Sequence, residues 1–258
     1  MCDACAQALA HQPGAASPGQ TMTEPEIPLD VTSDGISLQS RPQVRPAIDR
    51  FQAVWRFFSN GFRYWDQTAS FVPSSRFLVD AIVQGAALSR ARTVVELGAG
   101  TGTVTQALLA AMPADARLFA VEIDGPLLEA TARRLPDPRL VPIWGSAADI
   151  TELLTTAGHD GPVDAVVSCL GMSLLPPELR RDILASSIAA LSPNGVFVQY
   201  GYLHAKVVVY SPVRGWSRFD LQAYLQDHFE QIQQQRVLAN FPPADVFVCR
   251  QAVQAAVH

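Results

Sequence analysis

The stretch Val94-Val95-Glu96-Leu97-Gly98-Ala99-Gly100-Thr101-Gly102 constrains the fold of this 258-residue chain more than any other. Its first four residues are typical of a buried strand, and the glycines let the backbone turn sharply and come close to a ligand. The residues that follow have helical periodicity, with Val104, Leu108 and Ala111 on one face. A strand, a glycine turn and a helix in this order are typical of open α/β sheets, which bind ligands beyond the carboxyl ends of their strands.

Strand-like and helix-like segments alternate beyond Ser74 and Ser75, either of which can cap a first helix. The predicted parallel strands cover residues 93–96, 117–122, 139–143, 163–168 and 196–200. We expect them to pair in parallel because helices separate them. Two further strands, 232–238 and 246–249, are joined by a connection short enough for a hairpin. The predicted fold is α/β, a seven-stranded, mostly parallel sheet with an antiparallel C-terminal hairpin strand.

The acids around the glycines indicate what kind of ligand binds. A dinucleotide site needs G-x-G-x-x-G, but here the third glycine comes one position early and Glu96 precedes the turn. S-adenosylmethionine has no phosphate; it carries a sulfonium, an ammonium and a ribose diol, for which acids are suitable partners. Glu122 ends the second strand 24 positions beyond Gly98, where a carboxylate can accept both ribose hydroxyls.

This combination resembles the class I S-adenosylmethionine-dependent methyltransferases over about residues 70–250. The resemblance implies a Rossmann-like fold in which the three glycines shape the methionine end of the site and Glu122 holds the ribose. The family often places an Asp after the third strand, where this chain has Ser146. We assign to the cofactor site Ser75, Glu96, Gly98, Gly100, Gly102, Glu122, Ser146, Ala147 and Ser168.

An aromatic segment precedes the predicted domain, which we place at residues 71–258. Residues 1–46 hold six prolines and no aromatic residue, and predict a disordered tail. Residues 47–70 predict an amphipathic helix with Ile48, Phe51, Trp55, Phe58, Phe62 and Trp65 on one face. Five Arg and one Asp between Arg41 and Trp65 favour contact of residues 47–65 with an anionic membrane surface. The alternative is a helix that packs on the domain and covers the cofactor.

A narrower resemblance rests on several short motifs. They are Phe71-Val72-Pro73-Ser74-Ser75-Arg76-Phe77-Leu78, Asp164-Ala165-Val166-Val167-Ser168, Ser173-Leu174-Leu175-Pro176-Pro177-Glu178-Leu179-Arg180, Phe197-Val198-Gln199-Tyr200, Ser211-Pro212 and Asn240-Phe241-Pro242-Pro243-Ala244. Together they resemble the bacterial phospholipid N-methyltransferases, which are akin to the rRNA adenine dimethyltransferases. The resemblance implies stepwise methylation of phosphatidylethanolamine toward phosphatidylcholine, by a protein that lies peripherally on the inner face of a bacterial membrane.

The residues after the fourth strand depart from both families. Ser168-Cys169-Leu170-Gly171 replaces the Asn-(Leu/Ile)-Pro-(Tyr/Phe) box of the adenine methylators and differs from the Ser-Gly-Leu-Pro of the lipid enzymes. An ornithine lipid or another small amine therefore stays open as the substrate. So do an RNA adenine dimethyltransferase and a non-catalytic cofactor-binding protein.

Candidate catalytic residues follow the fourth and fifth strands. Ser168 can accept a hydrogen bond from the substrate amine, and Tyr200 and Tyr202 are further candidates, although packing beside a cleft would explain them equally well. Arg214 and Arg218 suit either a lipid phosphate or a solvated loop.

Composition narrows the class of partner. The net charge of −5 weighs against nucleic acid as a partner. We expect a cytoplasmic protein without a metal site, because no signal peptide or long apolar run is visible and Cys2 and Cys5 form an isolated pair. Cys169 and Cys249 fit small core residues.

Overall fold

The computed structural model describes residues 75–207, 209–211 and 215–253. The predicted tail (1–46), the predicted amphipathic helix (47–70) and Arg214 lie outside these described residues. The helices are α1 (Arg76–Gly85), α2 (Thr103–Ala111), α3 (Gly125–Arg134), α4 (Ile150–Thr156), α5 (Pro177–Ala190) and α6 (Leu221–Gln226). The strands of the main sheet are β1 (Thr93–Leu97), β2 (Arg117–Glu122), β3 (Leu140–Trp144), β4 (Val163–Ser168), β5 (Leu191–Tyr202), β8 (Phe229–Val237) and β9 (Ala244–Ala252), and a small hairpin is formed by β6 (Val209–Ser211) and β7 (Gly215–Ser217).

The main sheet has the strand order β3-β2-β1-β4-β5-β9-β8. Strands β1 to β5 pair in parallel, and β9 runs antiparallel to both of its neighbours. The predicted α/β fold, with a seven-stranded sheet and an antiparallel C-terminal strand, is therefore confirmed. The chain reverses its strand order between β1 and β4, which is where open sheets of this kind leave a crevice for ligands.

Alternate residues of the central strands serve two cores, one on each face of the sheet. Val94 packs with α1 and α2 on one face, while Val95 packs with α4 and α5 on the other. The period of two along each strand explains why both faces are apolar and why the strands read as continuous apolar runs. This burial holds the carboxyl ends of the strands in fixed positions.

Side chains fix the starts of two helices. Ser75 accepts a hydrogen bond from the backbone N–H of Leu78, and so caps α1. Asp124 caps α3 in the same way by accepting from Leu127. Because both caps lie at the carboxyl edge of the sheet, the same short segments that start the helices also border the crevice.

The small hairpin and some strand bounds differ from the sequence-based prediction. Strands β6 and β7 have three residues each, too few for an alternating pattern to be recognised. Strand β5 begins at Leu191 rather than at residue 196, with an irregularity in its register against β4. Residues Ser192 to Gly195 have the composition of a turn, so sequence alone placed the strand start later.

Candidate functional site

The glycine turn after β1 is held in a backbone conformation that favours glycine. Gly98, Gly100 and Gly102 have φ of +76°, +52° and +75°. A Cβ on Gly98 would come within 2.7 Å of the Leu170 side chain, and one on Gly102 within 2.5 Å of Thr131. At Gly100 the nearest atom would be 3.9 Å away, so this residue faces open space where the other two are closely packed. A ligand can therefore approach the backbone at Gly100.

Glu122 lies directly at this turn. Its Oε2 accepts a hydrogen bond of 3.0 Å from the Gly100 N–H, and its Oε1 accepts from the N–H groups of Ile123 (2.8 Å) and Asp124 (3.0 Å). Burial raises the pKa of Glu122, while the three N–H donors act to lower it. Thr131 also donates to the Gly100 carbonyl at 2.7 Å. The end of β2 and the glycine turn therefore form one rigid unit with an acceptor oxygen in it.

Glu96 is fully buried beneath the glycine turn. Its Oε1 accepts a weak hydrogen bond from the Cys169 thiol at 3.9 Å, and its Oε2 has no hydrogen-bond partner among the described residues. The pKa of Glu96 is raised to about 8, mainly by burial; hydrogen bonds from Thr105 and Cys169 act to lower this pKa, and the nearby Glu122 acts to raise it. The hydroxyl of Ser168 is also buried without a hydrogen-bond partner in the described part of the chain. Buried polar atoms of this kind are rare in folded proteins and mark places where a ligand can bond.

The open space at Gly100 and the buried, only partly hydrogen-bonded acid below it fit a cationic nucleoside better than a phosphate. A phosphate would lie beside two acidic side chains, Glu96 and Glu122, and its negative charge would disfavour the ionised form of both. A sulfonium or an ammonium would instead offset the desolvation of Glu96. The residues present therefore fit S-adenosylmethionine.

The segment after β3 closes the other side of this crevice. Ser146 accepts a hydrogen bond from Ala148 at 3.2 Å and so caps a short 3-10 turn that starts at Ala147. Trp144, which sequence reasoning missed, pairs in register with Glu122, and its indole N–H donates to the Ile123 carbonyl at 3.0 Å. Its position as the last residue of β3, beside the residue predicted to hold the ribose, was the signal in the sequence.

Tyr200 and Tyr202 lie at the end of β5, beside the residues that follow β4. The rings are 5.7 Å apart and meet edge to face. The Tyr200 hydroxyl donates to the Cys169 carbonyl at 3.4 Å. Burial raises the pKa of both tyrosines, so both phenols stay protonated at neutral pH and can donate but not serve as bases. Cys249 is buried in the core as predicted, and Cys169 is partly buried and packs against the core, while its thiol also lies 3.9 Å from Glu96 Oε1.

A cleft of about 450 Å³, including space open to solvent, lies beside the two tyrosines. Its walls come from four separate segments: residues 171–173, 200–206, 219–221 and 245–247. Asp245 is buried there and accepts hydrogen bonds from Gln234 (2.6 Å) and Arg236 (2.9 Å).

Lys206 also borders the cleft, with its ammonium 3.7 Å from the Asp220 carboxylate. Sequence reasoning missed this residue as well as Asp245. Lys206 is the only lysine in the 258 residues, and that rarity was the available signal.

The described residues include no helix that is both long and apolar enough to cross a bilayer. Within the same ranges, no three His, Cys, Asp or Glu side chains are grouped so that they could hold a metal ion. Arg218 is exposed in the described part of the chain, just after β7.

Comparison with known proteins agrees with this geometry. A family model described as a methyltransferase domain matches residues 94–195, which begin in β1 and end in β5. An ornithine lipid N-methyltransferase from Singulisphaera acidiphila is 29% identical over 203 residues, which cover 78% of this chain and 96% of the relative.

Two solved structures have the same fold. The 1,6-didemethyltoxoflavin-N1-methyltransferase of Burkholderia thailandensis, solved with S-adenosylhomocysteine, aligns with a TM-score of 0.57 and 18% identity, over 85% of this chain and 99% of that one. The O-methyltransferase TomG of Streptomyces achromogenes, solved with S-adenosylmethionine, aligns with a TM-score of 0.50 and 19% identity, over 67% and 79% of the two chains.

The sheet order, the glycine turn and the matching domain together define the class. The chain is a class I S-adenosylmethionine-dependent methyltransferase. It is an enzyme, its cofactor is S-adenosylmethionine, and among its relatives is a lipid N-methyltransferase. The predictions of class, fold and cofactor are therefore confirmed, and the roles given to single residues stay predictions.

Proposed function

We propose that this enzyme methylates the amine of a membrane-lipid head group. The observation that carries the proposal is the cleft beside Tyr200 and Tyr202, which joins aromatic rings to the only lysine of the chain next to the predicted cofactor site. The relative named as an ornithine lipid N-methyltransferase supports the same substrate class. We rank ornithine lipid first for that reason, and phosphatidylethanolamine, which the sequence motifs imply, second.

Both lipids carry a primary amine and an acidic group, so their head groups are zwitterions. The aromatic faces of Tyr200 and Tyr202 suit an ammonium and its methylated products, since cations are attracted to the faces of aromatic rings. Lys206 suits the acidic group, a carboxylate in ornithine lipid and a phosphate in phosphatidylethanolamine. Asp245, which accepts hydrogen bonds from Gln234 and Arg236, also lines the cleft. The cleft thus offers partners of both signs to one head group.

On the cofactor side, we propose that the roles predicted from the sequence apply. Glu122 accepts from the ribose hydroxyls, for which Oε2 has an acceptor position left after its bond to Gly100. Glu96 faces the ammonium of the methionine part. Ser75, Ser146 and Ala147 border the nucleoside at the edges of the crevice, as the sequence motifs imply.

The cofactor, when bound, supplies an activated methyl group, so the protein mainly has to orient the acceptor. The amine starts as an ammonium and must lose a proton before it can attack. Ser168, whose buried hydroxyl has no partner among the described residues, can accept a hydrogen bond from the amine and so direct its lone pair. The phenols stay protonated, so we propose that water takes the proton.

The direct test is methyl transfer from labelled cofactor to vesicles. Separate vesicle preparations contain ornithine lipid, phosphatidylethanolamine or neither, and the lipid products are separated by chromatography. We expect label in ornithine lipid, in phosphatidylethanolamine or in both. Transfer to ribosomal RNA but not to lipid would support the adenine dimethyltransferase alternative. Cofactor binding without transfer to any lipid would support a non-catalytic protein.

We also propose that residues 47–65 bring the enzyme to the anionic inner face of a bacterial membrane. The support is the aromatic face and the local positive charge of this segment in a chain of net charge −5. Sedimentation with anionic vesicles, before and after deletion of these residues, tests the proposal. Deletion should remove most of the binding, and unchanged sedimentation would contradict it.

A further inference from the structure

Exposed apolar side chains are gathered at the carboxyl edge of the sheet, around the mouth of the cleft. We call Phe77, Val207, Trp216, Leu238 and Phe241 the apolar rim. Leu238 is 70% exposed and Phe241 78% exposed, which is unusual for large apolar side chains. Within the described ranges, two other large apolar side chains are exposed, but less so than any residue of the rim: Trp144 (37%) at the far side of the same edge, and Val253 (46%) at the opposite edge.

Backbone pairing places the rim beside the cleft. Ala244, the first residue of β9, pairs with Tyr202, so the loop 238–243 lies at the end of β5. The Leu203 N–H donates to the Pro243 carbonyl at 3.0 Å, which joins this loop to the 3-10 turn that leads to Val207. The hairpin of β6 and β7, which carries Trp216, follows this turn directly.

The first helix joins the same surface. The Ser75 N–H donates to Asn240 Oδ1 at 2.9 Å, which brings the start of α1, and Phe77 with it, to the loop 238–243. Ser75 also follows the segment proposed to contact the membrane by only ten positions from Trp65. The first residue of the described domain, Ser75, and the mouth of the cleft therefore lie at the same edge of the sheet.

The charges around the rim are mainly positive. Arg76 lies with its guanidinium 5.0 Å from the Phe77 ring, and Arg218 is exposed just after β7. Lys206 and the half-exposed Arg236 lie nearby, next to their partners Asp220 and Asp245. In a chain of net charge −5, a basic and apolar surface of this kind complements an anionic bilayer.

We infer that the apolar rim inserts into the interface of an anionic bilayer and seats the cleft on the surface that holds its lipid substrate. This inference rests on the proposed function, since a lipid head group has to reach the cleft from the bilayer. It adds a membrane contact on the folded domain itself to the one proposed for residues 47–65.

The test compares vesicle binding of the full chain with that of the double variant Leu238→Ser, Phe241→Ser. The vesicles contain phosphatidylethanolamine and phosphatidylglycerol, and bound protein is measured by sedimentation. We expect the double variant to bind about tenfold more weakly, because two exposed apolar anchors are lost. The matched control Val253→Ser removes an exposed apolar side chain from the opposite edge and should bind within about twofold of the parent.

Thermal melting separates the two possible occupants of the rim. If residues 47–65 cover it instead of the bilayer, the double variant should melt at a different temperature and bind vesicles as well as the parent, which would overturn the inference. Equal losses in the double variant and in Val253→Ser would overturn it too. Because the measurement needs no methyl transfer, a chain that binds vesicles through the rim but methylates no lipid would refute the proposed function alone.

Discussion

The two halves of the site are built in different ways. The cofactor half comes from a short stretch of β1, the glycine turn and the end of β2, and hydrogen bonds from backbone N–H groups to the Glu122 carboxylate, such as that from Gly100, hold it together. The proposed acceptor half, the cleft beside Tyr200 and Tyr202, draws its walls from four segments between residues 171 and 247. The cofactor half can therefore be the same in enzymes with different substrates. The acceptor half can instead differ between enzymes through a change in any one of its loops. This difference predicts that mutations in the cofactor half change cofactor binding, and those in the acceptor half change only substrate use.

The largest effect is expected at Glu122. Glu122→Ala removes the predicted ribose acceptor and leaves three N–H groups without their partner. The cofactor dissociation constant should rise roughly 100-fold, equivalent to about 3 kcal/mol, measured by titration calorimetry with S-adenosylhomocysteine. Glu129→Ala, an exposed acid on α3, is the matched control and should bind normally. If Glu122→Ala bound S-adenosylhomocysteine within threefold of the parent, the proposed role of Glu122 in the cofactor half would be contradicted.

Glu96 should make cofactor binding depend on pH. Its pKa is raised to about 8, so the free protein holds a proton there at neutral pH. A bound ammonium lowers this pKa, so binding releases the proton below pH 8. Affinity should then rise roughly thirtyfold from pH 6 to pH 8 and level off above it. Calorimetry across this range measures the effect. In Glu96→Gln the profile should be flat, and an equally steep profile in that variant would assign the proton to another group.

Lys206 should affect substrate use alone. Lys206→Met removes the cation proposed to bind the acidic part of the head group, so KM for the lipid should rise about tenfold with little change in kcat. Lys206→Arg keeps the charge and should stay within threefold of the parent. The cofactor dissociation constant should be the same in all three proteins. If it changes with Lys206→Met, the two halves are not independent.

The smallest effect is expected at Tyr202. Its ring, not its hydroxyl, is proposed to face the cation, so Tyr202→Phe should change the lipid KM by less than about twofold. Tyr202→Leu, which removes the aromatic face, should raise KM about fivefold. Steady-state kinetics with vesicles measures both. A large loss of kcat in Tyr202→Phe would instead show that the hydroxyl takes part in the chemistry.

The same contrast explains how much the sequence could predict. Gly98, Gly100, Gly102 and Glu122 could be assigned together because a strand, a turn and a crossover of standard length fix their separation along the chain. The parallel pairing of the first five strands followed from the alternation of strands and helices. The position of Glu122 at the glycine turn needed no knowledge of distant contacts.

The acceptor half could not be predicted in this way. Lys206 and Asp245 are 39 positions apart, and only the antiparallel pairing of β5 with β9 brings their segments to one cleft. No periodicity along the chain carries that information. The sequence did indicate Tyr200 and Tyr202, because they lie at or just beyond the end of the predicted strand 196–200, at the carboxyl edge of the sheet. The three-residue strands β6 and β7 lie below the length at which a pattern can be read.

The hydrogen bond between the Ser75 backbone and the Asn240 side chain spans 165 positions and joins the first helix of the domain to its last hairpin. This hydrogen bond links the two ends of the domain, so we expect a truncation at one end to destabilise the other end as well. A truncation before β8 would deprive α1 of its anchor as well as removing two strands. The domain should therefore unfold as one cooperative unit, and limited proteolysis should release no stable fragment from either end.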